Sequence, residues 1–262
     1  SAHAAATASI TAKALSVSGL STANKIYDGT VSAKLDSTAE LLAPSAVGAG
    51  DSNDGKAYEG DDIGVSQSSA TAAFGDKNVG IGKAVSFSGL SLSGDDANNY
   101  TFSVPNATAS ITAKALSVSG LSTANKIYDG TVSAKLDSTA ELLAPSAVGA
   151  GDSNDGKAYE GDDIGVSQSS ATAAFGDKNV GIGKAVSFSG LSLSGDDASN
   201  YSLSAHAAAT ASITAKALSV SGLSTANKIY DGTVSAKLDS TAELLAPSAV
   251  GAGDSNDGKA YE

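Results

Sequence analysis

Lys25-Ile26-Tyr27-Asp28-Gly29-Thr30 returns as Lys126-Ile127-Tyr128-Asp129-Gly130-Thr131 and again as Lys228-Ile229-Tyr230-Asp231-Gly232-Thr233. The second copy starts 101 residues after the first, and the third 102 residues after the second. Around this motif the repetition is nearly complete, because Ala6–Ala97 reappears unchanged as Ala107–Ala198. Solenoid units run about 20–50 residues, so a period of this length instead matches one folding domain per copy. The phase places the last strand of a preceding repeat at residues 1–12, and repeat modules at 13–113 and 114–215. An incomplete third module spans 216–262.

Outward from the motif, apolar residues alternate with small polar ones. Leu15 and Val17 share a face, as do Val31, Ala33 and Leu35; so do Val85 with Phe87, Leu90 with Leu92, and Tyr100 with Phe102 and Val104. Alternation over four to eight residues is the mark of half-buried strands. Asp28-Gly29, Asp54-Gly55, Gly60-Asp61-Asp62, Gly75-Asp76-Lys77-Asn78 and Gly94-Asp95-Asp96 punctuate the runs with turn-forming residues. Many short strands separated by such turns predict an all-β fold, with Ig-like β-sandwich modules arranged end to end as a rod. Ser37-Thr38-Ala39-Glu40-Leu41-Leu42 has capping-box spacing and is followed by Pro44. A helix there would make the module β-grasp-like, which is the alternative. Ala43–Gly60, rich in Gly and Asp, reads as an exposed loop. Asp96-Ala97-Asn98-Asn99-Tyr100 is similar to a tyrosine corner, whose hydroxyl bonds to nearby backbone, with Asn98 where a left-handed residue is common.

At the junction Ile111 lies on odd parity, whereas Leu116 and Val118 lie on even parity. The inward face therefore flips within Thr112–Ala115, and one module's last strand runs almost directly into the next module's first. No Gly/Ser- or Pro-rich tether intervenes, so the connection is stiff.

Composition narrows the function classes. The 262 residues contain no Cys, Met or Trp, and the formal charge is −12. A disulfide framework and a thiolate metal site are excluded, and the acidity disfavours nucleic acid and anionic membranes. No apolar run approaches the roughly 20 residues of a membrane span. Ser1–Ala6 matches Ser204–Ala209 at a module's end, and Glu262 matches Glu59 and Glu160 in mid-module. The chain thus reads as a window on a longer array.

Lys-Ile-Tyr-Asp-Gly-Thr, Gly-Asp-Asp-Ile, Phe-Gly-Asp-Lys-Asn-Val-Gly-Ile-Gly-Lys-Ala-Val, Leu-Ser-Gly-Asp-Asp-Ala-Asn-Asn-Tyr and Ile-Thr-Ala-Lys-Ala-Leu occur in that order. Together they resemble the YDG-type and related MBG-type repeats of large bacterial surface proteins, including filamentous-haemagglutinin-like adhesins. The stretch Leu41–Tyr58 is longer than that family's pattern suggests. The resemblance implies an extracellular stalk or filament module at the bacterial cell surface, with no catalytic residues. It makes structural motif residues of Tyr27, Asp28, Gly29, Tyr100, Tyr128, Asp129, Gly130, Tyr201, Tyr230, Asp231 and Gly232.

The residues themselves offer little chemistry. His3 and His206 are equivalent to each other and read as surface residues. Gly80-Ile81-Gly82-Lys83 precedes Ala84, fails as a phosphate loop, and reads as a loose bend before a strand at Ala84–Ser88. Neither a cofactor nor an enzyme activity is expected. Calcium is the one ligand for which candidates exist: Asp61, Asp62, Asp95, Asp96 and their counterparts Asp162, Asp163, Asp196, Asp197. Asp51-Ser52-Asn53-Asp54-Gly55 is only superficially similar to a calcium loop, since Gly55 stands at the fifth ligand position. Asn99, Asn106 and Asn200 each begin an N-glycosylation triplet.

The leading function is a structural stalk that extends a distal binding region, its partners being neighbouring repeats of the same chain. The alternatives are a self-associating filament or sheath built from copies of the chain, and a carbohydrate-binding module using surface Tyr58 or Tyr159.

Overall fold

The computed structural model describes residues 7–48, 52–149, 153–204, 208–251 and 255–262. Among them the regular structure is β, with two 3-10 turns at Ala97–Asn99 and Ala198–Asn200 and no α-helix. Among the described residues no helix is long and apolar enough to cross a membrane.

The first repeat carries β1 (Lys13–Ser18), β2 (Lys25–Ile26), β3 (Ser32–Ala33), β4 (Glu40–Leu41), β5 (Gly64–Ser66), β6 (Thr71–Phe74), β7 (Gly80–Ser88), β8 (Ser91–Ser93), β9 (Tyr100–Ser103) and β10 (Ala107–Thr112). Five of these form a sheet in the order β2-β10-β7-β6-β3, and three form another in the order β4-β1-β9. β5 pairs with β8 separately. Two pairings are parallel, β1 with β9 and β2 with β10, while the others in these sheets are antiparallel.

The alternating pattern explains what each sheet buries. Ala72, Phe74, Val85, Ala109 and Ile111 point inward from the larger sheet. Leu15 and Tyr100 from the smaller sheet pack with Ala57, covered by Leu41, Ile63, Leu92 and Phe102. Val85 and Ile111 are 0 % and 1 % exposed, so their neighbours leave no room for water.

The second repeat has the same plan, with one extra break in its first strand. Its strands are β11 (Lys114–Leu116), β12 (Val118–Ser119), β13 (Lys126–Ile127), β14 (Ser133–Ala134), β15 (Glu141–Leu142), β16 (Gly165–Ser167), β17 (Thr172–Phe175), β18 (Gly181–Ser189), β19 (Ser192–Ser194), β20 (Tyr201–Leu203) and β21 (Ala209–Thr214). Its five-stranded sheet runs β13-β21-β18-β17-β14 around Ala173, Phe175, Val186, Ala211 and Ile213. In the third copy, among the described residues, β22 (Val220–Ser221) and β23 (Glu243–Leu244) pair as strands. There Ile229 and Tyr230 are 91 % and 93 % exposed.

The described residues pack into two compact units that do not follow the repeat boundaries. The first unit comprises the described residues of Ser1–Ala115 together with those of Ala144–Asp162 and Asp196–Ser202. The second comprises those of Leu116–Leu143, Asp163–Gly195 and Leu203–Glu262. Two segments of the second repeat are thus packed into the unit built on the first. At the junction β10 buries Ala109 and Ile111, and β11 buries Lys114 and Leu116, so the buried parity changes across Ala113.

Several local expectations are corrected. Ser37–Leu42 forms no helix: Glu40–Leu41 is β4. Ser37 Oγ accepts a hydrogen bond from Ser21 N–H at 2.8 Å and donates to the Gly19 carbonyl, so it ties two loops together and caps nothing. The Gln67 side-chain amide meets both backbone groups of Ala39, at 2.8 and 2.9 Å, and holds that residue extended in the manner of a neighbouring strand. The Ala43–Gly60 loop is not wholly exposed, since Gly55 and Ala57 are buried. Ser16 N–H donates to the Gly55 carbonyl at 2.8 Å, and a Cβ on Gly55 would stand 2.3 Å from Ser16 Oγ. Only glycine fits there. Gly80–Lys83 lies inside β7, with the register shift of a β-bulge opposite it, and is not a bend before the strand.

Candidate functional site

The Lys-Ile-Tyr-Asp-Gly-Thr motif is a turn braced from within. The Lys25 ammonium donates to Asp28 Oδ1 at 2.7 Å and to the carbonyls of Thr30 and Ser32, each at 2.8 Å. The same Asp28 oxygen accepts from Thr30 N–H at 2.8 Å, which closes an Asx-type turn. Gly29 has φ +76°, a conformation L residues rarely adopt. Tyr27 N–H donates to the Thr112 carbonyl at 2.8 Å, anchoring the turn to β10. Each polar residue of the motif therefore fixes the backbone that presents the Tyr27 ring.

That ring is 0 % exposed, and Tyr159, Asp162 and Tyr201 of the second repeat pack against it together with Lys77 of the first. Its hydroxyl donates to Asp162 Oδ2 at 2.8 Å. Its face lies near-perpendicular to Tyr201, with centroids 5.2 Å apart, and tilted against Tyr159 at 6.0 Å. Edge-to-face aromatic pairs add about 0.5–1.5 kcal/mol beyond area burial. Tyr201 also donates to Asp162 Oδ2, at 2.6 Å, and its oxygen accepts from Tyr159 N–H at 2.9 Å. Lys77 completes the cluster with an ion pair to Asp162 Oδ1 at 2.6 Å and lies 3.8 Å from Asp197. Beside it Asn200, 1 % exposed, accepts from Val79 N–H at 2.9 Å and donates to Asn78 Oδ1 at 3.2 Å.

The Asp162 side chain is 2 % exposed. Burial opposes its charge, yet hydrogen bonds from Lys77, Tyr201 and Tyr27 hold its carboxyl below the usual range. Desolvation and the bond to Asp162 push the Tyr27 phenol up to about 12. Burial and the same carboxylate raise the Tyr201 phenol as well. Bonding to Asp162 and proximity to Tyr27 raise the Lys77 ammonium. The cluster is therefore one carboxylate held ionised between a cation and two neutral phenols. These contacts fix the Tyr27 ring against Tyr159 and Tyr201.

A second contact flanks the ring. Gly149 N–H donates to the Asp28 carbonyl at 3.1 Å, and a Cβ on Gly29 would lie 2.9 Å from Val148 Cγ1. The second copy of the motif repeats this on the third: Gly251 N–H meets the Asp129 carbonyl at 3.2 Å, and Val250 stands 2.9 Å from the corresponding position on Gly130. Tyr128 and Tyr261 lie 6.1 Å apart there.

Several of the acidic candidates accept hydrogen bonds from protein donors. Asp61 accepts from the Tyr100 hydroxyl; Asp62 and Asp96 accept from the backbone of Asp95 and Asp62, at 3.2 and 2.9 Å. Asp197 accepts from Asn200 at 3.3 Å, and Asp163 and Asp196 also have partners. Asp54 pairs with Lys13 at 2.8 Å. Among the described residues no three metal-ligating side chains gather in one place. His3, His206 and Asp51 lie outside the described residues.

Four site expectations change. The Tyr100 hydroxyl reaches not its own turn but Tyr58 N–H, at 3.0 Å, and Asp61, so the contact joins distant loops. Asn98 sits in a 3-10 turn, and no described residue other than glycine has positive φ. Tyr159, expected at the surface, is 1 % exposed because Tyr27 and Lys114 cover it; the Lys114 ammonium lies 4.4 Å over its ring and 2.6 Å from Asp155. Asn200 is likewise buried and carries no accessible glycosylation triplet. Sequence reasoning named Tyr27, Asp162 and Tyr201 but missed their meeting, along with Lys77 and Asn200. The available signal was the missing linker, which forces adjoining repeats to touch through their turns.

A family model described as YDG domain matches residues 11–109 and again 112–211. No match was found among curated proteins or among solved structures. The two matched copies cover most of the chain, and the chain belongs to the YDG domain family.

Proposed function

We propose that the chain is a structural stalk segment of a bacterial cell-surface adhesin, multiplying length to carry a distal binding region outward. The observation that carries this reading is the Tyr27–Asp162–Tyr201 joint. Each full repeat holds both halves of it, a braced turn and a tyrosine–aspartate socket, on surfaces that share no residue. A contact between two unlike surfaces of the same unit propagates head to tail. The joint uses its tyrosines, carboxylate and lysine for orientation, which suits a spacer under load and not an enzyme. Absence of Cys and a net charge of −12 are compatible with an exported, soluble module.

Small-angle scattering on arrays of two, four and six repeats tests the reading. The maximum dimension should grow by a constant increment per repeat. Growth with the cube root of mass would contradict a stalk.

A further inference from the structure

In each full repeat the opening and closing segments run side by side in the same direction. In the first, β1 pairs with β9 from Lys13↔Tyr100 to Ser16↔Ser103, and β2 pairs with β10 at Lys25↔Ile111 and Ile26↔Thr112. The separation in sequence is 100 − 13 = 87 in the one ladder and 111 − 25 = 86 in the other. One nearly constant register therefore continues through both sheets, with Lys13 at one end of it and Thr112 at the other.

Further bonds extend the ladder on either side of the two-residue β2. Asn24 Oδ1 accepts from Ser110 N–H at 2.7 Å, supplying the acceptor that a strand carbonyl would. Tyr27 N–H donates to the Thr112 carbonyl at 2.8 Å at the far end. In the second repeat Lys126 and Ile127 pair parallel with Ile213 and Thr214. There Ser212 N–H donates to Asn125 Oδ1 at 2.7 Å, and Tyr128 N–H to the Thr214 carbonyl at 2.8 Å.

Tension along the chain enters the first repeat before Lys13 and leaves it after Thr112. It drags β1 toward its own N-terminal end and β10 toward its C-terminal end. Because the segments are parallel, these displacements oppose each other along one axis, and the hydrogen bonds that run across it are loaded together. Antiparallel outer strands would bring both loaded ends to the same end of the ladder, where bonds open one after another. We propose that this parallel ladder is a tension clamp, so that each repeat resists force along the chain and yields to force that peels the same segments apart. The clamp lies within one repeat, whereas the scattering increment tests an array, so either reading can fail alone.

Single-molecule force-clamp measurements test it. The chain has no cysteine, so introduced pairs set the direction of pull. Thr11, Thr101 and Thr112 are exposed, and Thr101 pairs with Ala14 at the Lys13 end of the ladder. T11C with T112C loads the ladder lengthwise, and T11C with T101C peels it. A folded repeat is identified in either geometry by one extension gain of roughly 30 nm. At equal force the lengthwise lifetime should be at least about tenfold longer. N24A, which removes one ladder bond, should shorten the lengthwise lifetime about fivefold and the peeling lifetime by less than about twofold. Where a cysteine pair gives no such gain, the chain held by its ends compares N24A/N125A with S88A/S189A. The serine changes remove hydroxyl contacts of 2.7 and 2.8 Å to Thr71 and Thr172, outside the ladder. The asparagine changes alone should shorten the lifetime. Equal lifetimes in the two directions, or equal effects of the two double variants, would overturn the proposal.

Discussion

Two sockets built from the same residue types differ in this molecule by what packs on them. Around Tyr159, Asp162 and Tyr201 the Tyr27 turn has closed: Asn200 is 1 % exposed and Lys114 is fully covered. Around Tyr58, Asp61 and Tyr100 the equivalent residues form the same internal hydrogen bonds, yet Asn99 is exposed and Tyr58 only half-buried. The socket is thus preorganised by its own repeat, and the turn adds burial without rebuilding it. Preorganisation lowers the ordering cost of each successive joint, which is what a tandem array needs.

Substitutions that separate the covered copy from the uncovered one can break this comparison. The largest contrast is Y27A against Y230A. Removing a fully buried aromatic ring should cost about 3–5 kcal/mol, whereas removing the exposed one should change stability by less than about 0.5 kcal/mol. Urea denaturation followed by tyrosine fluorescence reads both. Equal effects would mean that the Tyr27 ring is not held by the joint.

Next comes D162N against D61N. In the filled socket the change strips Lys77 of its ion pair and weakens two phenol contacts, for a loss of about 1–3 kcal/mol. In the open socket one phenol contact is at stake, and about 1 kcal/mol or less should be lost.

G29A against G232A is finer. Both residues have positive φ, so both alanines incur a similar backbone strain of about 1–2 kcal/mol. Only Gly29 faces a neighbour, Val148, whereas nothing stands within 4 Å of the Gly232 position. The excess cost of G29A, about 1 kcal/mol, measures that contact alone.

The smallest effect is with pH. Asp162 titrates below the ordinary carboxylate value of 3.8 when folded, so its contribution is present above that value and lost as pH falls through the folded pKa. Tyr27 is raised from 10.0 to about 12, so its contribution is complete below pH 10 and lost as pH rises toward 12. Amide exchange at Val79 N–H, bonded to Asn200, should stay slow between those limits and quicken outside them. The exposed counterpart Val180 should show no such window. Exchange at Val79 that is indifferent to pH, after correction for intrinsic rates, would contradict this.

Much of the fold was legible where one residue in two faces a core. Leu15 and Val17, Val85 and Phe87, and Tyr100 and Phe102 alternate because their strands have one wet face, and the all-β assignment follows from them. The two-residue strands were not legible, because side chains hold them: Lys25 braces the turn after β2, and Gln67 stands in for a strand beside Ala39. Capping-box spacing at Ser37 misled for the same reason, since its hydroxyl was already engaged across loops. The joint was half legible. Tyr27, Tyr201 and Asp162 stand out in the sequence, but Tyr27 and Asp162 meet across 135 positions and two copies. With each residue present in duplicate, spacing alone does not say which copy meets which.

The central claim is that Tyr27 and Asp162 couple one repeat to the next, and a double-mutant cycle on Y27F and D162N tests it most directly. The account predicts a coupling free energy of about 1–2 kcal/mol, with additivity in the control cycle pairing Y27F with D61N. Additivity within about 0.5 kcal/mol in both cycles would contradict it.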